Sequence, residues 1–139
     1  MIQGLLNIHH MIELKVHLFM NGGMSEELKA IIDTGAYYNY VCKRTVIGNS
    51  PVNYIGDRTY FNINNVELTD KAYSAAIGIV GHKDPFKFEF MIKEDSFIDV
   101  ILGTKFLSDF KIISILDGRV GKFKLYSPHF GDMISSLNI

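Results

Sequence analysis

Hydrophobic and polar positions alternate with a period of two along much of this chain. From position 12, Ile12, Leu14, Val16, Leu18 and Met20 fall on one face, and Glu13, Lys15, His17 and Phe19 on the other. One buried stripe of a helix cannot satisfy that period, so a strand is predicted over 12–20. Asn21-Gly22-Gly23 follows and supplies the positive φ angles of a tight hairpin, with a partner strand running to about Ile32. Residues 37–42 read as a short Tyr-rich strand and residues 43–57 as mostly loop. Residues 58–68 alternate again, and Asn64-Asn65 can turn the chain because Asn tolerates the left-handed region. A strand is expected over 72–80 and a turn over 82–85. Phe86, Phe88 and Phe90 then alternate with Lys87, Glu89 and Met91, which suits a half-buried antiparallel strand.

Asp99-Val100-Ile101-Leu102-Gly103 differs, being a continuous apolar run closed by glycine, and should be buried on both faces. Residues 104–110 are the best helix candidate. Thr104 can cap the first turn, and Phe106, Leu107 and Phe110 share one face. Residues 111–116 and 120–126 read as a final hairpin around Asp117-Gly118, while 128–139 has no single reading. Three prolines and twelve glycines punctuate these many short segments, the pattern of an all-β protein.

Composition narrows the function. With 139 residues the chain suits one domain. Apolar residues make up 47% and charged residues 21%, so a folded core is expected and long disorder is not. The formal net charge of -1 argues against a nucleic-acid footprint and against a polybasic membrane anchor. No apolar run reaches the ~18–20 residues of a spanning helix, and residues 1–6 lack the basic region of a secretory signal. Cys42 is the single cysteine, which excludes an intrachain disulfide and suggests a reducing compartment. A soluble intracellular protein is therefore expected.

The informative segment is Ala30-Ile31-Ile32-Asp33-Thr34-Gly35-Ala36, where an apolar strand delivers one carboxylate into a Thr-Gly turn. An ionised Asp at the end of a buried strand must be hydrogen-bonded or paired, or its pKa must rise. Gly35 lets backbone amides approach it, and Thr34 supplies a hydroxyl that can tie the turn to another main chain. Other chemistries find little support. His9 and His10 are adjacent and face opposite ways on a strand, and His17, His82 and His129 are scattered, so no metal site is expected. Cys42 lacks a partnering histidine signal and reads as a buried structural thiol. Ser74, Ser96 and Ser108 lack nucleophile-elbow glycines. No basic groove accompanies the three phenylalanines, so they read as core and not as a base-stacking platform.

Asp33-Thr34-Gly35-Ala36 after an apolar strand, then Val100-Ile101-Leu102-Gly103 leading into a short helix, resembles the retropepsin-like aspartic peptidases. The likeness spans roughly residues 12–125. It implies a single retropepsin-like domain over 1–139 with its core at about 12–126: a closed β-barrel of the acid-protease type with one short C-terminal helix. Because the chain holds one Asp-Thr-Gly, the resemblance implies a homodimer with one Asp33 per subunit on a two-fold axis. Two carboxyls ~3 Å apart share one proton. The charged one would act as general base on a water, and the neutral one would polarise the scissile carbonyl. The substrate would be an extended polypeptide, with no cofactor, metal or covalent intermediate.

The resemblance further assigns Thr34 a tie across the dimer axis, Gly35 backbone contacts to the bound peptide, and Ile101, Leu102 and Gly103 the structural second motif. Many two-lobed relatives place Ser or Thr where this chain has Ala36, donating a hydrogen bond to the catalytic carboxylate. Ala36 cannot, so a working pH between mildly acidic and neutral is expected. A flap is expected at 58–68 with Ile63, Asn64 and Asn65 near its tip, although retroviral flaps are glycine-rich and this stretch has no glycine. Tyr37 and Thr104 stand where retroviral members often carry an Asp–Arg ion pair, and Lys105 where cellular members often carry Asp. Residues 1–10 and 134–139 are apolar enough to pair at the base of a dimer. Two alternatives remain: a retropepsin-like module that dimerises or binds peptides without turnover, and an unrelated all-β interaction domain.

Overall fold

The computed structural model describes residues 5–6, 12–20, 23–47, 53–82, 84–94, 97–111, 113–117, 122–127 and 131–136. In chain order the elements are β1 (Leu5–Leu6), β2 (Ile12–Met20), β3 (Gly23–Met24), β4 (Leu28–Ile32), β5 (Tyr40–Cys42), α1 (Lys43–Ile47), β6 (Asn53–Phe61), β7 (Glu67–Ile79), β8 (Phe86–Lys93), β9 (Val100–Leu102), α2 (Thr104–Asp109), β10 (Ile113–Asp117), β11 (Lys122–Ser127) and β12 (Gly131–Ser136).

Strands β2, β4, β9, β5, β8 and β7 neighbour one another in that order, and β7 returns to pair with β2, closing a six-stranded barrel. Most pairings are antiparallel, but β4 runs parallel to β9, with Ile31 beside Ile101, and β5 runs parallel to β8. Antiparallel strands β10, β11 and β12 form a separate three-stranded sheet. The all-β expectation therefore holds.

Alternation explains which residues enter the barrel. In β2, Leu14, Val16 and Leu18 are buried while Lys15 is exposed. In β8, Phe88 and Phe90 are buried and Lys87 is exposed. The central strands β4 and β9 have neighbours on both sides, and Ala30, Ile31, Ile32, Val100, Ile101 and Leu102 are all buried, as the glycine-closed run predicts. Phe106 of α2 is fully buried in the core, with its ring tilted against those of Phe86 and Phe110.

Several elements differ from the sequence expectation. Residues 37 and 38 are bends, so the strand expected over 37–42 shortens to β5, because the Tyr37 carbonyl accepts a hydrogen bond from Lys105 outside any ladder. The loop expected over 43–57 contains α1 and the start of β6. Helix α1 carries β-branched Thr45, Val46 and Ile47 against their propensity, and burial of Val46 in the core compensates. Among the described residues there are thus two short helices where one was expected. Residues 58–61 of β6 follow the alternation expected over 58–68, whereas its first half, 53–57, is hidden by its exposure and by a bulge at Gly56, whose φ of 130° suits glycine. Gly103, not Thr104, is the N-cap of α2, and no side chain caps that helix. Strand β12 resolves part of the ambiguous tail as a partner of β11. Most of 1–10 and residues 137–139 lie outside the described residues.

Phe106→Ala is expected to lower the unfolding free energy by about 3–5 kcal/mol, as for other fully buried aromatic side chains, measured by urea denaturation.

Candidate active site

Asp33 directly follows β4, and its N–H donates to the Leu102 carbonyl at 2.9 Å, continuing the β4–β9 ladder by one step. The chain then turns: the Ala36 N–H returns to the Asp33 carbonyl at 3.1 Å. The half-buried Asp33 carboxylate accepts a 2.8 Å hydrogen bond from the Gly35 N–H. A Cβ on Gly35 would stand 3.1 Å from Asp33 Oδ1, so glycine keeps this approach open. Thr34 and Gly35 are exposed and Ala36 is half-buried.

The rest of the loop is clasped to the second motif. The Thr104 N–H donates to the Ala36 carbonyl and the Lys105 N–H to the Tyr37 carbonyl, both at 2.8 Å. A Cβ on Gly103 would meet the carbonyl oxygens of Tyr38, Ala36 and Tyr37 at 2.4, 2.7 and 2.7 Å. No side chain fits there. Ile101 and Leu102 are buried beneath this contact, next to Ile31 and Ile32 in register. The structure therefore brings Asp33, Thr34, Gly35, Ala36, Leu102 and Gly103 into one assembly. Ile63, Asn64 and Asn65 lie elsewhere, at the end of the β6–β7 hairpin.

Asn62 organises that end. Its side-chain oxygen accepts from the N–H groups of Asn64 and Val66, and Asn65 takes a φ of 60°. Phe61, Ile63, Val66 and Leu68 are exposed, Ile63 at 99%. The hairpin stem reaches the Asp33 loop through aromatic contacts: Tyr60 meets Tyr38 edge-on, and Tyr38 meets Tyr37. It is also pinned by charge. Arg58 pairs with Glu89, whose other oxygen lies 3.8 Å from Lys105 Nζ, and Lys105 also reaches Asp109 at 3.2 Å. Tyr60 donates its hydroxyl to Asp70, and that bond, with burial adding, pushes its phenol up to about 12.

Sequence reasoning missed Asn39, Glu89 and the Tyr38–Tyr60 contact. Asn39 is 1% exposed, and both polar atoms of its side chain are bonded: its side-chain oxygen accepts from the Gly103 N–H, and its side-chain nitrogen donates to the Glu89 carbonyl, each at 2.9 Å. The available signal was a polar residue immediately before an apolar strand. Cys42 is buried, and Arg44 donates to its sulfur.

Neither a protein-family model nor a curated protein matches the sequence. Solved structures do. A retropepsin-like aspartic protease from Rickettsia conorii matches with a TM-score of 0.51 and 23% identity, over 80% of this chain and 80% of that one. The retroviral protease-like domain of Ddi1 from Leishmania major matches with a TM-score of 0.48 and 19% identity, over 87% and 90%. The simian foamy virus (mac) protease matches with a TM-score of 0.46 and 18% identity, over 69% and 91%. The likeness to the Rickettsia protein, with the closed barrel, shows a retropepsin-like fold. Among the described residues, no helix is long and apolar enough to cross a membrane.

Gly103→Ala is expected to destabilise the protein by about 3 kcal/mol or more in chemical denaturation, since the intruded-upon atoms are backbone carbonyls that cannot rotate away. The Tyr60–Asp70 bond is fully present below the ordinary tyrosine value of 10 and is lost as pH rises through about 12. Tyrosinate absorbance should therefore show a late component near pH 12 that Tyr60→Phe removes.

Proposed function

We propose that two copies of this chain form an aspartic endopeptidase, with residues 12–126 as the core of a single peptidase domain in each. The supporting observation is the Asp33-Thr34-Gly35 turn at the end of β4, built against Leu102 and Gly103 within a retropepsin-like barrel. Asp33 is the catalytic residue, one per protomer across a two-fold axis. With one proton shared, the charged carboxyl takes a proton from water as the water oxygen attacks the scissile carbonyl carbon. The neutral carboxyl gives its proton to the carbonyl oxygen. As the tetrahedral intermediate collapses and the C–N bond breaks, the carboxyl that took the water proton passes it to the amine nitrogen, and the other carboxylate takes a proton back from one hydroxyl of the intermediate.

In this reading Thr34 ties the two turns together, and its exposed hydroxyl suits such a role. The exposed edge of the turn at Gly35 meets the substrate backbone. The β6–β7 hairpin, with Ile63, Asn64 and Asn65 at its tip, closes over an extended polypeptide. Apolar side chains flank the scissile bond. A second reading is a dimerising or peptide-binding module without turnover. The glycine-free tip, fixed by two hydrogen bonds to the Asn62 side chain, favours it because a closing hairpin has to move.

A mixed peptide library incubated from pH 3 to pH 8 distinguishes them. Cleavage is expected from this protein and not from Asp33→Asn, with a dimer in sedimentation. No cleavage by either protein, with the dimer intact, would select the second reading. The maximum is expected between mildly acidic and neutral pH, because Ala36 donates no hydrogen bond to the carboxylate. A maximum below about pH 3, under the ordinary Asp value near 3.9, would contradict that argument.

A further inference from the structure

Asn39 is the deepest-buried polar residue of the Asp33 loop, and each half of its amide has a different backbone partner. Its oxygen faces a donor, the Gly103 N–H, and its nitrogen faces an acceptor, the Glu89 carbonyl. The two partners fix the amide's orientation, since a flipped amide would set oxygen against oxygen. The Asn39 carbonyl also accepts from the Met91 N–H at 2.9 Å. One residue thus joins the far end of the loop to β8 and to the second motif. The near end is held by Asp33 itself, bonded to Leu102, the residue before Gly103.

We infer that Asn39 is a positioning residue for the Asp33 carboxylate. It acts through Gly103: drawing in the Gly103 N–H seats the glycine under the carbonyls of Ala36, Tyr37 and Tyr38 and sets the height of the turn that presents Asp33. In what it says of turnover, the inference rests on the peptidase reading above. Asn carries its donor and its acceptor on two separate atoms in every ionisation state, whereas the single hydroxyl of Thr or Ser cannot span both partners. Asp matches the shape and supplies the donor only when protonated. The charged groups associated with this region are Asp33 on the loop and Glu89 with its partners Arg58 and Lys105.

The test compares the full chain with Asn39→Asp and Asn39→Ala, at temperatures where circular dichroism shows each folded. Asn39→Asp at pH 7 is expected to lose about tenfold to a hundredfold in kcat with KM little changed, the signature of a misplaced reacting group. Its activity relative to wild type should recover as pH falls to 5, while Asn39→Ala stays low at both. Amide hydrogen exchange is the second readout. In the wild type the Gly103 amide should exchange as slowly as barrel amides such as Ile31, and in Asn39→Ala it should lose at least about tenfold of that protection. Folded variants with wild-type kcat overturn the inference, and so does a fast-exchanging Gly103 amide in the wild type, which needs no variant to fold. A wild type that cuts nothing, with Gly103 protection present and lost in Asn39→Ala, rejects the peptidase reading and supports the Asn39 clasp.

Discussion

The close seating of Gly103 beneath the Asp33 loop is the constraint on which the site depends. Residues 33–39 leave β4, reach solvent and return as β5 on the other side of β9. That arch is short, so its carbonyls turn inward and crowd the Cα of Gly103, while the next two N–H groups rise to meet them. The Ala36 and Tyr37 carbonyls take their donors from the start of α2, whose first N–H groups have no partner within the helix. The start of α2, which has no side-chain cap, and the carbonyls of the loop satisfy each other. The missing side chain at Gly103 is what lets them come close enough.

This floor contrasts with the hairpin beyond it. The barrel half of β7 buries Ala72, Ser74, Ala75, Ile77 and Ile79, whereas its first five residues are exposed and pair only with β6. The outer half is held by backbone hydrogen bonds, the Tyr60–Asp70 and Arg58–Glu89 pairs and the Tyr38–Tyr60 contact. Polar and aromatic contacts of this exposed kind are individually small, so the hairpin belongs to the less stable part of the molecule. Glu89 links the two regimes: its carboxylate holds Arg58 of the hairpin, and its carbonyl holds Asn39 of the floor.

How much of this could be read from the sequence follows from what each element depends on. Strands β2, β8 and β9 were legible because one or both faces are buried, and burial writes itself as alternation or as a continuous apolar run. The Asp33 turn was legible because its close backbone approach to the carboxylate demands a glycine at 35. Helix α1 was not, since five residues carry no period and Val46 is drawn in by tertiary packing. The first half of β6, residues 53–57, was obscured because it is mostly exposed and ordered by pairing with β7, which leaves no hydrophobic signature, while 58–61 showed its alternation. Asn39 offered only the weak signal of a polar residue before an apolar strand, and Glu89 none, because their partners are distant in sequence and no local pattern encodes them.

Closure of the barrel also fixes when the site can exist. Strand β9 slots between β4 and β5, pairing Ala30 with Val100 and Val41 with Val100, and β2 must find β7 across much of the chain. Pairings so distant in sequence demand loop-closure entropy before they return any contact energy, and folds of this kind assemble in roughly milliseconds to seconds. Gly103 follows directly on β9, so the arch over it forms only when that late strand arrives. A nascent or partly folded chain carries Asp33 without the surroundings that orient it. Any activity belonging to the turn is therefore withheld until the last central strand is in place, a safeguard that follows from strand order alone.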